Sequence, residues 1–265
     1  MRAVVIGASS GLGRCIGIGL AQRGAEVALL ARRHDRLVEA AEEAGSGALA
    51  IRCDVTDESS CRGAIAEAAA GLGGIDALVY ATGIGPLARI EDLDAETWRR
   101  AFDTNVVGAS VATAAALPHL QESRGAAAYL SSVSAGLTPP WPGLAAYLVS
   151  KAALDRMVEA WRTEHPEIGF TRVTVGDCPG GDGESMTQFA NDWDSDLAIE
   201  LGPIWMQRNL MNGGFIEVDE LVTLVHEVVS HGASVAIPHV AITPRAPVPS
   251  LAAQAPARES QEVQS

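Results

Sequence analysis

The chain has 265 residues, of which 48% are hydrophobic, 20% charged and 5% aromatic, the balance of an ordinary globular protein with one large core. Its 19 basic and 33 acidic residues leave a formal charge of -14, a surface that repels phosphate backbones and anionic lipid and so excludes nucleic-acid and membrane-surface partners at this stage. No apolar run reaches the ~20 residues of a bilayer span, and the apolar stretch opening at Met1 starts too early for a signal peptide, so a cytoplasmic location is expected.

The first predicted strand, Arg2 to Ile6, runs directly into Gly7-Ala8-Ser9-Ser10-Gly11-Leu12-Gly13, and a helix follows. Glycines at such a turn permit positive φ and a close backbone approach, while the free N–H groups that open the helix suit a pyrophosphate. The second strand, Glu26 to Leu30, leads into Ala31-Arg32-Arg33 with no carboxylate to accept from a ribose 2′-hydroxyl. Two guanidinium groups there suit a 2′-phosphate, so NADP(H) is expected in preference to NAD(H), unless both arginines simply face solvent. The third strand, Ala48 to Arg52, ends in Cys53-Asp54-Val55-Thr56. Asp54 either accepts from an adenine amine or, with Thr56, caps the next helix. A fourth strand, Ala77 to Tyr80, precedes Ala81-Thr82-Gly83, and the Ala-rich stretch Thr97 to Leu117 reads as a helix that Pro118 ends.

A fifth strand, Ala127 to Ser131, is followed by Ser132, Ser134 and the Pro139-Pro140-Trp141-Pro142-Gly143 stretch, and then by Tyr147-Leu148-Val149-Ser150-Lys151 on a helix. Residues four apart share a helix face. A cation ~4 to 6 Å away, at an effective dielectric near 20, is worth about 3 to 4 kcal/mol, enough to pull a phenol down by ~2 to 3 pH units toward acid–base work at neutral pH. The sixth strand, Phe170 to Val175, precedes Pro179-Gly180. From Gly176 to Phe215 no period is visible, and segment 181–215 is read as a covering segment over the substrate. Val218, Leu221, Val222, Val225, Val228 and Val229 make one apolar helix stripe, and Ser234 to Ile237 is the last predicted strand. Residues 252–265 read as a disordered tail. Cys15, Cys53, Cys61 and Cys178 show no ligand spacing, so four reduced thiols and no metal are expected.

Near-continuous apolar strands alternating with helices predict an α/β chain with a doubly wound parallel sheet, as a single domain over 1–251. The combined motifs resemble the short-chain dehydrogenase/reductase family: Gly7-x-x-x-Gly11-x-Gly13, Asp54-Val55, Thr104-Asn105-Val106, Ser131-Ser132-Val133, Tyr147-x-x-Ser150-Lys151 and Pro179-Gly180, over about residues 1 to 180. The resemblance implies a Rossmann fold and an NADP-dependent oxidoreductase moving a hydride between nicotinamide and a ketone or secondary alcohol. It implies Tyr147 as proton donor or acceptor and Lys151 as the group that tunes it and holds the nicotinamide ribose. Ser132, or Ser134 as the alternative, would orient the substrate oxygen. Asn105 would hold, through its backbone, a water linking Lys151 to solvent. Gly7, Ser9, Ser10, Gly11, Leu12, Gly13, Arg32, Arg33, Asp54, Val55, Gly83, Pro179 and Gly180 would line the cofactor, with Thr187 near its amide. Trp141, Met186, Phe189 and Trp193 would line the substrate, which suits a hydrophobic ketone or alcohol, or else pack the covering segment on the core. A homodimer or homotetramer is also implied. Two departures stand out: Tyr80-Ala81-Thr82-Gly83 replaces the family's Asn-Asn-Ala-Gly, and no glycine-rich ending follows the last strand. The other readings are a non-catalytic NAD(P)-binding sensor on the same fold and an epimerase or dehydratase with tightly held NAD.

Overall fold

The computed structural model describes residues 1–45, 47–180, 188–211, 214–231 and 233–245. Strand and helix alternate through β1 (Arg2–Ile6), α1 (Gly11–Gln22), β2 (Glu26–Ala31), α2 (His34–Ala44), β3 (Leu49–Arg52), α3 (Glu58–Leu72) and β4 (Ala77–Tyr80). Then come α4 (Ala95–Phe102), α5 (Gly108–Ser123), β5 (Ala126–Ser132), α6 (Ala145–Glu164), β6 (Gly169–Val175), α7 (Ser195–Gln207), α8 (Val218–Ser230) and β7 (His239–Ile242). All seven strands are parallel in the order β3-β2-β1-β4-β5-β6-β7. The chain winds outward from β1 to β3, then restarts on the other side of β1 at β4. Opposite crossovers open a cleft at the carboxyl ends of β1 and β4, where ligands of such sheets bind.

Alternate strand residues feed two cores. Val4, Ile6, Leu78, Tyr80, Tyr129 and Phe170 face α3, α5 and α6, whereas Val5, Val79, Ala128 and Val173 face α1 and α8. Each fully buried aliphatic side chain contributes about 1.5–3 kcal/mol, which explains why the central strands are apolar on both faces. A third, smaller core of Trp141, Leu144, Leu201, Trp205 and Leu210 holds α7 over the cleft.

Three sequence expectations change. The last strand is His239–Ile242, not Ser234 to Ile237. Its ladder pairs Arg172 with His239 through to Val175 with Ile242, and Pro238, which has no N–H, stands just ahead of it and only accepts, from Arg172 N at 3.2 Å. Pro118 does not end its helix: α5 runs on to Ser123, anchored by fully buried Leu120 and by Ser123 Oγ donating to Ile75 O at 2.9 Å. The predicted helix from Thr97 to Leu117 is in fact two, joined by a π-helical turn over Asp103–Val107. Within 181–215 the structure contains α7, with Pro203 inside it, so that segment is not irregular throughout. Met186, Thr187 and the tail 252–265 lie outside the described residues.

Candidate active site

β1 delivers the glycine turn to the mouth of the cleft. Gly7 has φ +93°, and a Cβ there would lie 2.7 Å from Thr82 N; one on Gly13 would collide with Gly7 O. The turn therefore packs with backbone against backbone, as a cradle must. Ser10 is the N-cap of α1 but makes no side-chain cap bond, which leaves the first N–H groups of the helix to a ligand. Gly180 closes over the same turn, with Leu12 N 2.7 Å from where its Cβ would be.

The sequence-predicted cofactor residues share one cleft of about 610 Å³, within the ~300–1,000 Å³ of small-molecule sites. Gly7, Ser9, Ser10, Gly11, Leu12, Arg32, Arg33, Asp54, Val55, Gly83, Pro179 and Gly180 line it. Gly13 stands behind the turn. Arg33 folds back on the cradle, its Nη2 donating to Ser9 Oγ at 3.1 Å and also to Ser10 Oγ. A guanidinium and two hydroxyls thus meet at one corner, so Arg33 does not merely face solvent. Asp54 accepts from Thr56 N at 3.0 Å and Thr56 Oγ1 at 2.7 Å. Burial works against its charge, but these two bonds and Arg32 bring its pKa below the usual carboxylate range. Neither Asp54 nor Thr56 caps α3; Asp57 does, accepting from Ser60 N at 3.0 Å.

At the other end, α6 carries Tyr147, Ser150 and Lys151 toward the ends of β4 and β5. Lys151 is 5% exposed; its Nζ donates to Leu130 O at 2.7 Å and lies 5.9 Å from the Tyr147 ring centre. Burial pushes its pKa down to about 8, while Asp155 pulls it up. Burial also pushes the Tyr147 phenol up to about 12, opposed by the Ser132 hydroxyl. The expected lowering of Tyr147 by Lys151 is therefore not found in the chain itself: loss of water around the phenol outweighs a cation that sits beside its ring. Ser132 Oγ lies 2.9 Å from Ser134 Oγ and accepts from Ser134 N at 3.2 Å. Ser132 bonds toward the Tyr147 phenol, and both serines line the cleft.

Asn105 is fully buried on the π-helical turn. Its amide holds the loop after β4, accepting from Ile84 N at 2.8 Å and donating to Ile84 O at 2.9 Å and Ser150 Oγ at 2.8 Å. Ser150 in turn donates to Tyr147 O at 2.7 Å. A Cβ on Gly83 would be 3.2 Å from both Asn105 Oδ1 and Lys151 Nζ, so that glycine lets the two approach. Where the family has asparagine, Tyr80 OH donates to Thr104 O at 2.6 Å and ties β4 to the π-helical turn. Sequence reasoning gave Tyr80 and Ser150 no role; the polar tip of an otherwise apolar strand was the signal for the first.

Aromatic rings roof this end. Phe189 packs on Tyr147 with its ring tilted and centroids 4.7 Å apart, and fills the space a Gly85 Cβ would need. Trp193 packs edge-on to Phe189 and donates to Gly85 O at 2.8 Å; Trp205 donates to Pro142 O at 2.9 Å and Trp141 to Thr138 Oγ1 at 3.0 Å. Trp141, Phe189 and Trp193 both line the cleft and pack on the third core. Trp205 and Asp177 also line the cleft and were not singled out as site residues. Burial raises the pKa of Asp177.

A family model described as short chain dehydrogenase matches residues 1–195. The chain is 37% identical over 179 residues to 11-beta-hydroxysteroid dehydrogenase A of Sesamum indicum, covering 65% of this chain and 51% of that one. It thus spans about half the length of that plant relative. It is 28% identical over 223 residues to a 3beta-hydroxysteroid dehydrogenase of Mediterraneibacter gnavus, covering 79% and 78% of the two chains. A short-chain type dehydrogenase/reductase from Mycobacterium marinum superposes with a TM-score of 0.78 at 26% identity, over 91% of this chain and 93% of that one.

Proposed function

The chain belongs to the short-chain dehydrogenase/reductase family, and from that premise we propose that it is an NADP-dependent oxidoreductase acting on a hydrophobic ketone or the matching secondary alcohol. The observation that carries this reading is the continuity of one cleft, with the glycine cradle and Arg33 at one end and Ser132, Tyr147 and Lys151 at the other. The bare helix start, the backbone-on-backbone turn and the Arg33–Ser9–Ser10 corner fit a dinucleotide with a 2′-phosphate. When bound, the nicotinamide supplies or accepts the hydride.

The chain's own residues do the rest. Ser132 donates to the substrate oxygen and Ser134 keeps it aimed. Tyr147 gives its proton to that oxygen in reduction, or takes one in oxidation. Lys151 is a buried cation whose charge favours the phenolate at the instant it forms and whose ammonium binds ribose hydroxyls. Phe189, Trp193, Trp141 and Trp205 exclude water and offer apolar walls to a ring-bearing carbonyl compound. The names of the two hydroxysteroid dehydrogenase relatives agree with such a substrate. The reading extends to a homodimer or homotetramer built on α5 and α6, checked by light scattering against the 27.5 kDa chain.

The decisive experiment screens ring ketones with NADPH and NADH in parallel, following nicotinamide absorbance. One charge-assisted pair is worth about 1.5–3 kcal/mol, so kcat/KM with NADPH should exceed that with NADH by ~10- to 100-fold, and Arg33→Ala should erase most of the difference. Preference for NADH overturns the reading of Arg33. Tight NADPH binding without turnover of any ketone favours a non-catalytic sensor.

A further inference from the structure

Behind Lys151 lies a second polar group that no step above uses. Asp155 follows Lys151 by one turn of α6. Arg172 of β6 comes within 3.8 Å of Asp155 Oδ2 and 3.1 Å of Glu159 Oε1. Ser131 of β5 faces the carboxylate without closing a good hydrogen bond. Three buried side-chain polar atoms lack a hydrogen-bond partner among the described residues, Ser131 Oγ, Asp155 Oδ1 and Arg172 Nε, and all three belong to this group. Unsatisfied buried polar atoms are few in folded proteins, and their concentration one turn from the reactive pair calls for a reason.

We propose that Asp155 is a positioning residue for the reaction: its carboxylate is the counter-charge that keeps the buried Lys151 amine protonated while that amine serves Tyr147 and the cofactor. The inference rests on the role given to Lys151 above. Lys151 is nearly sealed from water, and its one described hydrogen bond, to Leu130 O, is neutral. Burial drives the amine toward its uncharged form, and Asp155 is the anion that opposes this. The other groups packed around it do not substitute. β5 offers the hydroxyls of Ser131 and Ser132, α6 the Tyr147 phenol, and the π-helical turn the neutral Asn105. Arg172 carries the same charge as Lys151 and is held closer by Glu159 than by Asp155. His239 of β7 bonds Thr174 Oγ1 at 2.9 Å and acts on Asp155 in the same sense as Arg172. Glu96, Arg99 and Arg100 of α4, with Asp103, are exposed. Burial raises Asp155 itself, while Ser131, Arg172, Lys151 and His239 draw it back toward ionisation.

The test is a titration of the full-length chain labelled with 13C-lysine, the Lys151 signal being assigned by its loss in Lys151→Met. In the native chain that signal should titrate near pH 8. In Asp155→Asn it should move about one pH unit lower, and in Asp155→Glu it should return close to the native position. The alkaline limb of the kcat/KM profile should follow in the same direction by a similar amount. An unmoved Lys151 titration in Asp155→Asn, or a pH profile merely scaled down, overturns the proposal. Should Asp155→Asn fail to fold, Arg172→Gln, which removes the competing cation, must shift Lys151 upward; no shift overturns the proposal equally. The titration needs no turnover, so a moved Lys151 signal in a chain inactive on every ketone would sink the functional reading alone.

Discussion

In the proposed reaction Tyr147 gives up its proton in the transition state, yet its own surroundings favour the neutral phenol. Ser132 opposes burial and Lys151 stands beside the ring, which suits the proposed role of a proton donor whose anion is stabilised only as charge develops. Tyr147→Phe should therefore lower kcat by ~10²- to 10⁴-fold and leave the NADPH dissociation constant, read by fluorescence, within a factor of two or three. A mutant turning over near the native rate removes Tyr147 from the chemistry. The two serines separate in the same assay. Ser132→Ala deletes the hydroxyl that faces Tyr147 and should cost kcat ~10²-fold or more, whereas Ser134→Ala deletes a support for it and should cost ~10-fold or less; the reverse order would make Ser134 the substrate-facing serine. The placement of Tyr147, Lys151, Arg33 and both serines in one cleft was legible in the sequence because spacing on a helix or at a strand end fixes where a side chain points. The direction of the Tyr147 shift was not, since desolvation depends on Phe189 and the loops that close on it, and no local spacing reports that.

At the level of elements, β1 to β6 were readable to within a residue or two because each is a short apolar run, and all but the edge strand β3 are covered on both faces. β7 was not: as an edge strand it is half exposed, its pattern alternates, and the more apolar Ser234 to Ile237 lies next to it. α7 escaped for a related reason. Leu201 and Trp205 face the third core while Ile199 and Met206 are exposed, so its apolar residues do not form one stripe. That helix and the turn before it nonetheless set the roof of the cleft, through rings fixed by indole N–H bonds to backbone. Gly85 is the place to perturb it. A methyl there meets the Phe189 ring, so Gly85→Ala should push Phe189 off Tyr147, raise KM for ring ketones by ~10-fold and destabilise the fold by about 1–3 kcal/mol, with NADPH binding little changed. Steady-state kinetics on a ring ketone and a small acyclic ketone checks this; equal effects on both would show that Phe189 does not shape the substrate side.

Across the whole molecule, the ionisable groups buried in the fold determine how stability responds to alkali. Lys151 is lowered to about 8 from an unfolded value near 10.5, so between those pH values the unfolded chain binds the proton and the native chain does not. Linkage then makes stability rise with pH over that window, by an upper bound of about 3 kcal/mol. Tyr147, raised to about 12, and the fully buried Tyr80 and Tyr129, raised in the same direction by burial, act oppositely. Their contribution is intact below the unfolded tyrosine value of ~10 and is lost as the pH climbs beyond it, because the unfolded phenols ionise first. The thiols of Cys15 and Cys178, raised by burial, and of Cys53, raised by its bond to Cys61 and by burial, act as the tyrosines do but from the unfolded thiol value of ~8.5 upward. The midpoint of urea unfolding should therefore change little near pH 8 and fall with increasing steepness above about 9. Lys151→Met should make the decline between pH 8 and 10 steeper, and Tyr80→Phe should soften the fall above pH 10. A slope between pH 8 and 10 that is the same in the native chain and in Lys151→Met would mean that Lys151 keeps its proton in the fold through that window and is not lowered by burial.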